Sequence, residues 1–62
     1  MLSTMKRKRM EKGLRQMDVA RQVDVSESYL SKIETGRADP SDALLGKIAH
    51  ALGVGPEELR DN

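Results

Sequence analysis

Glycine punctuation constrains this chain more than any other feature of its sequence. Gly13, Gly36, Gly53 and Gly55 divide its 62 residues into short segments, with Pro40 and Pro56 just before or just inside two of them. Most of the segments are of helical length, and their apolar residues recur at helical spacing. The pattern predicts an all-α fold of five helices. Helix 1 covers roughly residues 3–12 and helix 2 roughly 16–23. Helix 3 runs from Ser26 to about Thr35, helix 4 from near Ser41 to Gly53, and a short helix 5 begins at Pro56.

Local chemistry supports each boundary. Ser26 and Ser41 can accept from the free N–H groups of a first helical turn. Val25 and Leu30 have the spacing of a hydrophobic staple. Gly36 and Gly53 can take the left-handed conformation that closes a helix. Pro56 sits at a first helical position, where its missing N–H is harmless, and Glu57 and Glu58 favour the positive end of the dipole. The expected core is Leu14, Val19, Ala20 and Val23, then Val25, Leu30 and Ile33. It continues with Leu44, Leu45, Ile48, Ala49 and Leu52, and closes with Val54 and Leu59. Met10 and Met17 are expected to fill gaps, as methionine often does.

Size and composition narrow the function. A domain of about 60 residues buries only about 60% of its unfolded surface, too little for a deep pocket with supporting shells. The expectation is a single domain over residues 1–62 that binds rather than catalyses. There is no cysteine and only one histidine, His50, so a disulfide frame, a zinc site of the usual cysteine-containing kind and a histidine metal cluster are excluded, and a catalytic triad would have to use His50. His50 lies off the apolar stripe of helix 4 and reads as a solvated residue. A cysteine-free chain fits a reducing cytoplasm. No apolar run approaches the ~20 residues needed to span a bilayer, and residues 1–5 are too short and polar for a signal peptide. No cofactor and no small-molecule ligand is expected.

Charge is segregated. Residues 1–23 carry seven basic side chains against two acidic, a net +5, and residues 24–62 carry four against eight, a net −4. A basic half beside an acidic half suggests one face for a polyanion and another for something else. A basic helix that is merely solvated is the plainer alternative. Tyr29 is the only aromatic residue, which disfavours modules that stack single-stranded bases. Groove binding to duplex DNA is the better nucleic-acid option.

The stretch from Gln16 to Gly36 places two short helices around a turn too tight for a loop. Ala20 allows close helix approach and Val25 plugs the corner, the pattern of a helix-turn-helix formed by helices 2 and 3. Here the sequence resembles the lambda-repressor-like family, also called Cro/CI or XRE, from about Lys6 to Leu59. The matching stretches are Lys12-Gly13-Leu14, Gln16, the run from Ser26 to Arg37, Pro40-Ser41, Lys47-Ile48-Ala49 and Ala51 to Val54. Three positions depart from the family. Arg15 stands where it usually has Ser or Thr, so helix 2 is expected to lose a good N-cap. Asp24 stands where the turn usually has Gly, and Gly55 replaces a usual Ser or Thr cap.

The resemblance implies a transcriptional regulator, by family habit a repressor, that binds an inverted repeat of double-stranded DNA as a homodimer with helix 3 in the major groove. The wheel turns Leu30 and Ile33 inward and leaves Glu27, Ser28, Lys32 and Ser31 as candidate base readers. Lys can donate to guanine, Glu can accept from cytosine, and Ser can do either. Glu27 could instead serve only the helix dipole, and Ser31 could be a solvent-facing filler. Candidate phosphate contacts are Gln16, Tyr29, Arg37 and Arg15. The resemblance also implies that Gln16 braces helix 3 and that Arg9 and Glu34 form a structural ion pair. The dimer surface is expected on helix 5 and nearby residues, including Val54 and Leu59. A second class of function, a protein-binding module such as an antitoxin or adaptor, remains open.

Overall fold

The computed structural model describes residues 3–60. The ends of the expected domain, residues 1–2 and 61–62, lie outside it. Four α-helices follow one another: α1 (Ser3–Glu11), α2 (Gln16–Val23), α3 (Glu27–Glu34) and α4 (Asp42–Leu52). The fifth element is not an α-helix but one 3-10 turn, Pro56–Leu59. Its bonds run three residues back, from Glu58 N–H to Gly55 C=O (3.0 Å) and from Arg60 N–H to Glu57 C=O (3.4 Å). Arg60 is already extended, at φ −88° and ψ 94°. Short 3-10 turns of this kind are frequent as connectors and at chain turns.

All four α-helices close in the same way. At each end one N–H reaches five residues back and the N–H before it reaches three back. The five-back bonds are Leu14 to Arg9 (3.1 Å), Val25 to Ala20 (3.0 Å), Arg37 to Lys32 (2.8 Å) and Val54 to Ala49 (3.0 Å). This Schellman closure needs a left-handed residue. Glycine supplies it at Gly13, Gly36 and Gly53, and Asp24 supplies it at the end of α2, with φ 61°. In three of the four closures the next residue is apolar, namely Leu14, Val25 and Val54. Each of these packs against the edge of the core. The helix starts are also local in origin. Ser26 Oγ accepts from Tyr29 N–H (3.0 Å) and Ser41 Oγ from Leu44 N–H (3.1 Å).

One apolar cluster joins the elements. It contains Met5, Val19, Ala20, Val23, Leu30, Ile33, Leu45, Ile48, Ala49, Leu52 and Leu59, with Leu14, Val25, Leu44 and Val54 packed around it. Helix α2 packs on both α3 and α4, while α1 packs on α3 and the 3-10 turn. Two expectations change here. Met10 is not a core filler but 61% exposed, and Met5 fills the core instead at 1%. Met5 and Arg9 lie four residues apart and share the inward face of α1, which turns Met10 outward. Leu59 is 0% exposed, so it is spent inside its own chain and cannot form a dimer surface. No helix among the described residues is long and apolar enough to cross a membrane.

Among the described residues two charged side chains lie inside this frame, Arg9 at 8% exposed and Glu34 at 4%, and they meet. Arg9 Nε donates to Glu34 Oε2 (2.8 Å), Nη2 to Oε1 (3.3 Å), and Nη1 to the carbonyl of Leu14 (2.8 Å). The pair ties α1 to the last residue of α3 and to the turn entering α2. Removing one partner of such a buried pair destabilises by roughly 3–5 kcal/mol, because the other charge is left desolvated and unpaired.

Two substitutions are expected to stabilise the fold. Gly46 lies inside α4, and a Cβ there would meet nothing within 4 Å. Gly46→Ala should therefore add about 1 kcal/mol from helix propensity alone. Asp24→Gly should add about 0.5–1 kcal/mol by relieving the left-handed strain, less the chain entropy glycine brings. Urea denaturation measures both. A lower midpoint for Asp24→Gly would mean the aspartate side chain stabilises the turn in a way the backbone does not reveal.

Candidate nucleic-acid interface

The turn between α2 and α3 is three residues long, Asp24 to Ser26, and every part of it has a local cause. Asp24 reverses the chain, Val25 packs into the core edge, and Ser26 caps α3. The geometry fixes α3 across α2 and leaves one side of α3 unpacked. Leu30 and Ile33 are fully buried and Glu34 nearly so. Glu27, Ser28, Tyr29 and Lys32 are exposed, and Ser31 is half-buried. The exposed side chains thus offer a carboxylate, a hydroxyl, a phenol and an ammonium along one short helix. Thr35 is turned to local use, donating its hydroxyl to the carbonyls of Ser31 (3.0 Å) and Lys32 (3.2 Å).

Beside this face stand the residues read as phosphate contacts. Arg37 is exposed in the loop after α3. Gln16, the first residue of α2, is half-buried and donates Nε2–H to Glu34 Oε1 (3.1 Å). It braces the far end of α3 by that bond. Arg15 is exposed but not idle. Its Nε and Nη2 donate to the two carboxylate oxygens of Asp18 (3.1 and 3.0 Å), and its backbone N–H donates to Oδ2 (2.8 Å).

Asp18 is a residue that sequence reasoning overlooked. Arginine has no acceptor to cap α2, but the acid three residues on reaches back to the capping position, which is half of a capping box. The spacing Arg15-x-x-Asp18 carried that signal. Glu58 repeats the device, accepting from Gly55 N–H at 3.0 Å. At both departures from the family the third residue of the helix accepts from the backbone N–H of the capping residue, while the first-turn N–H groups gain no side-chain cap. The Arg15 guanidinium and backbone N–H hold the Asp18 carboxyl below the usual carboxylate range, and the same contact raises Arg15.

Not all of the basic N-terminal half faces outward. Arg9 is internal, and Arg7 and Lys8 lie at 3.8 and 3.9 Å from Glu11. Such exposed pairs contribute about 0–1 kcal/mol and leave the cations accessible. Lys6, Arg7 and Lys12 are exposed, and Lys8 is half-buried. His50 is exposed on α4.

A carboxyl with a lowered native value stabilises the fold above its ordinary value of about 3.9, and that contribution is lost as pH falls through the lowered one. Carboxyl-carbon NMR should show Asp18 titrating below the ordinary range. In Arg15→Ala it should move part of the way up, since the backbone N–H remains. An Asp18 titration that ignores this substitution would contradict the geometry.

Comparison with known proteins agrees with this architecture. The helix-turn-helix family profile matches residues 5–59. The uncharacterised HTH-type transcriptional regulator y4dJ of Sinorhizobium fredii is 44% identical over 57 residues, which is 92% of this chain and 74% of that protein. Multiprotein-bridging factor 1 of Debaryomyces hansenii is 44% identical over 46 residues, 74% of this chain but only 31% of its own length. The crystal structure of the clp gene regulator ClgR from Corynebacterium glutamicum superposes with a TM-score of 0.88 at 33% identity, over 92% of this chain and 61% of that one. The relatives span bacteria and yeast, and in the longer ones this fold accounts for only part of the protein. The chain belongs to the Cro/CI (XRE) type of helix-turn-helix family, and its relatives include proteins named as HTH-type transcriptional regulators.

Proposed function

We propose that this chain is a sequence-specific regulator of transcription, a repressor that binds an inverted repeat in double-stranded DNA as a homodimer. Helix α3 enters the major groove. The observation that carries this reading is the unpacked face of α3, where Glu27, Ser28 and Lys32 stand clear of the fold. Lys32 donates to guanine, Glu27 accepts from cytosine N4, and Ser28, with Ser31 beside it, serves either base. Gln16, Tyr29, Arg37 and Arg15 contact phosphates and set the register. Arg15 does so from within its pair with Asp18, which points its guanidinium without removing its charge.

One eight-residue helix covers only a few base pairs, so useful affinity calls for two copies with half-sites about one DNA turn apart. With Leu59 internal, the second copy meets the surface around Val54, which is half-buried. The reading calls for no enzymatic activity, no cofactor and a cytoplasmic location beside the DNA. A second reading, a protein-binding adaptor, is favoured by one observation: a relative is named for bridging proteins. The acidic C-terminal half suits that role better than it suits DNA.

Selection from a random duplex pool at near-physiological salt separates the two. The expected result is an enriched inverted repeat. Lys32→Ala should then relax preference at one position by about 1–3 kcal/mol. Arg37→Ala should weaken all duplexes alike and reduce the salt slope by about 1. A pool that stays unenriched, with weak binding that vanishes in salt, favours the adaptor.

A further inference from the structure

Glu34 has more hydrogen bonding than its stabilising role needs. Its two oxygens are already satisfied by Arg9 at 2.8 and 3.3 Å. Arg9 in turn is anchored by the carbonyl of Leu14 at 2.8 Å. Yet Oε1 accepts a further bond, at 3.1 Å, from a side chain that is not fully buried: the amide of Gln16. An alkyl side chain at position 16 would leave no buried polar atom of the pair without a partner. The additional bond therefore acts on Gln16 more than on the pair.

We propose that the Arg9–Glu34 pair positions Gln16 for DNA, so that the ion pair at the centre of the fold also sets affinity at the interface. This rests on the reading of Gln16 as a phosphate contact. A carboxylate beside a guanidinium only accepts, so it holds Gln16 by its nitrogen and never by its oxygen. One Nε2 hydrogen is committed to Glu34, and the second is left as a donor for a phosphate oxygen. A free glutamine side chain is among the costliest to order. Here much of that ordering is complete before DNA arrives, which is the usual origin of preorganised affinity. Arg9 contributes at one remove. Its bonds to Glu34 and Leu14 fix the carboxylate relative to the start of α2, where Gln16 emerges. Arg9 and Glu34 are thus positioning residues that need not touch DNA.

The test is a thermodynamic cycle on the duplex chosen by selection. Four proteins are compared: wild type, Gln16→Ala, Arg9→Met/Glu34→Leu, and the triple variant. The apolar double variant removes both charges together, so the fold is expected to survive it. Cooperative thermal unfolding checks this. Gln16→Ala should weaken binding about tenfold, equivalent to ~1.4 kcal/mol. The apolar pair should weaken it by a similar factor, and the triple variant no further. A merely structural pair predicts the opposite: in a folded apolar background, Gln16→Ala still costs its full factor, and that result overturns the proposal.

A further measurement covers failure of the apolar variant to fold. In the free wild-type protein, one Gln16 side-chain amide proton should exchange with solvent more slowly than its twin. Equal exchange of the two overturns the positioning role without reference to DNA. A wild-type chain that enriches no duplex overturns the DNA reading and this inference together, whereas duplex binding with additive losses overturns this inference alone.

Discussion

The buried contact between Arg9 and Glu34 is the interaction on which the rest of the arrangement depends. It joins residues 25 apart in sequence, and through Leu14 and Gln16 it reaches every element that forms or supports the candidate interface. Two well-packed apolar side chains could hold α1 to α3 at least as firmly, since burying charges costs solvation that their attraction barely offsets. What an apolar pair could not do is fix direction. A planar guanidinium donating along three lines sets the angle between helices and the register of their ends. That is the quantity a helix-turn-helix must control if α3 is to meet a groove.

The same control is applied locally at every helix end. Four identical closures turn the chain at the ends of the α-helices, and no more than seven residues separate one α-helix from the next. Three use glycine, at no steric cost. The fourth, at the corner between α2 and α3, uses Asp24 and carries some backbone strain. With Ser26 capping the next helix immediately, the chain has no slack at the corner where orientation matters most. Rigidity at this corner and exposure of the outer face of α3 have one cause: the connection is too short for either helix to turn its other side outward.

Electrostatics show how poorly charge along the sequence maps onto charge in space. The basic N-terminal half suggests a polyanion surface, yet one of its arginines is internal and another is gripped by Asp18. In the acidic half, Asp42 is paired with Arg60 at 2.9 Å across an exposed surface. The cations beside the outer face of α3 include Lys32 and Arg37, which belong to the half with net negative charge. Net charge by segment is therefore a poor guide to which charged side chains the fold leaves outward.

Legibility in the sequence follows the range of the interactions involved. Helix ends, the tight corner, the serine caps and the apolar stripes of α2, α3 and α4 all involve residues at most five positions apart, so composition and spacing alone determined them. The inward face of α1 could not be read this way, because it is made of one methionine and one arginine and shows no apolar period. Met5 was overlooked and Met10 misplaced for that reason. The final 3-10 turn was misread as a helix because a proline start and two glutamates specify a beginning but not a length. Only packing decided that Leu59 closes the core of its own chain rather than meeting a second copy. It also decided that Gln16 would lean on Glu34, whose place beside it depends on how three helices cross. Local chemistry fixed where each helix starts and stops. Which of its sides became interior was fixed by partners brought close only after the chain had folded.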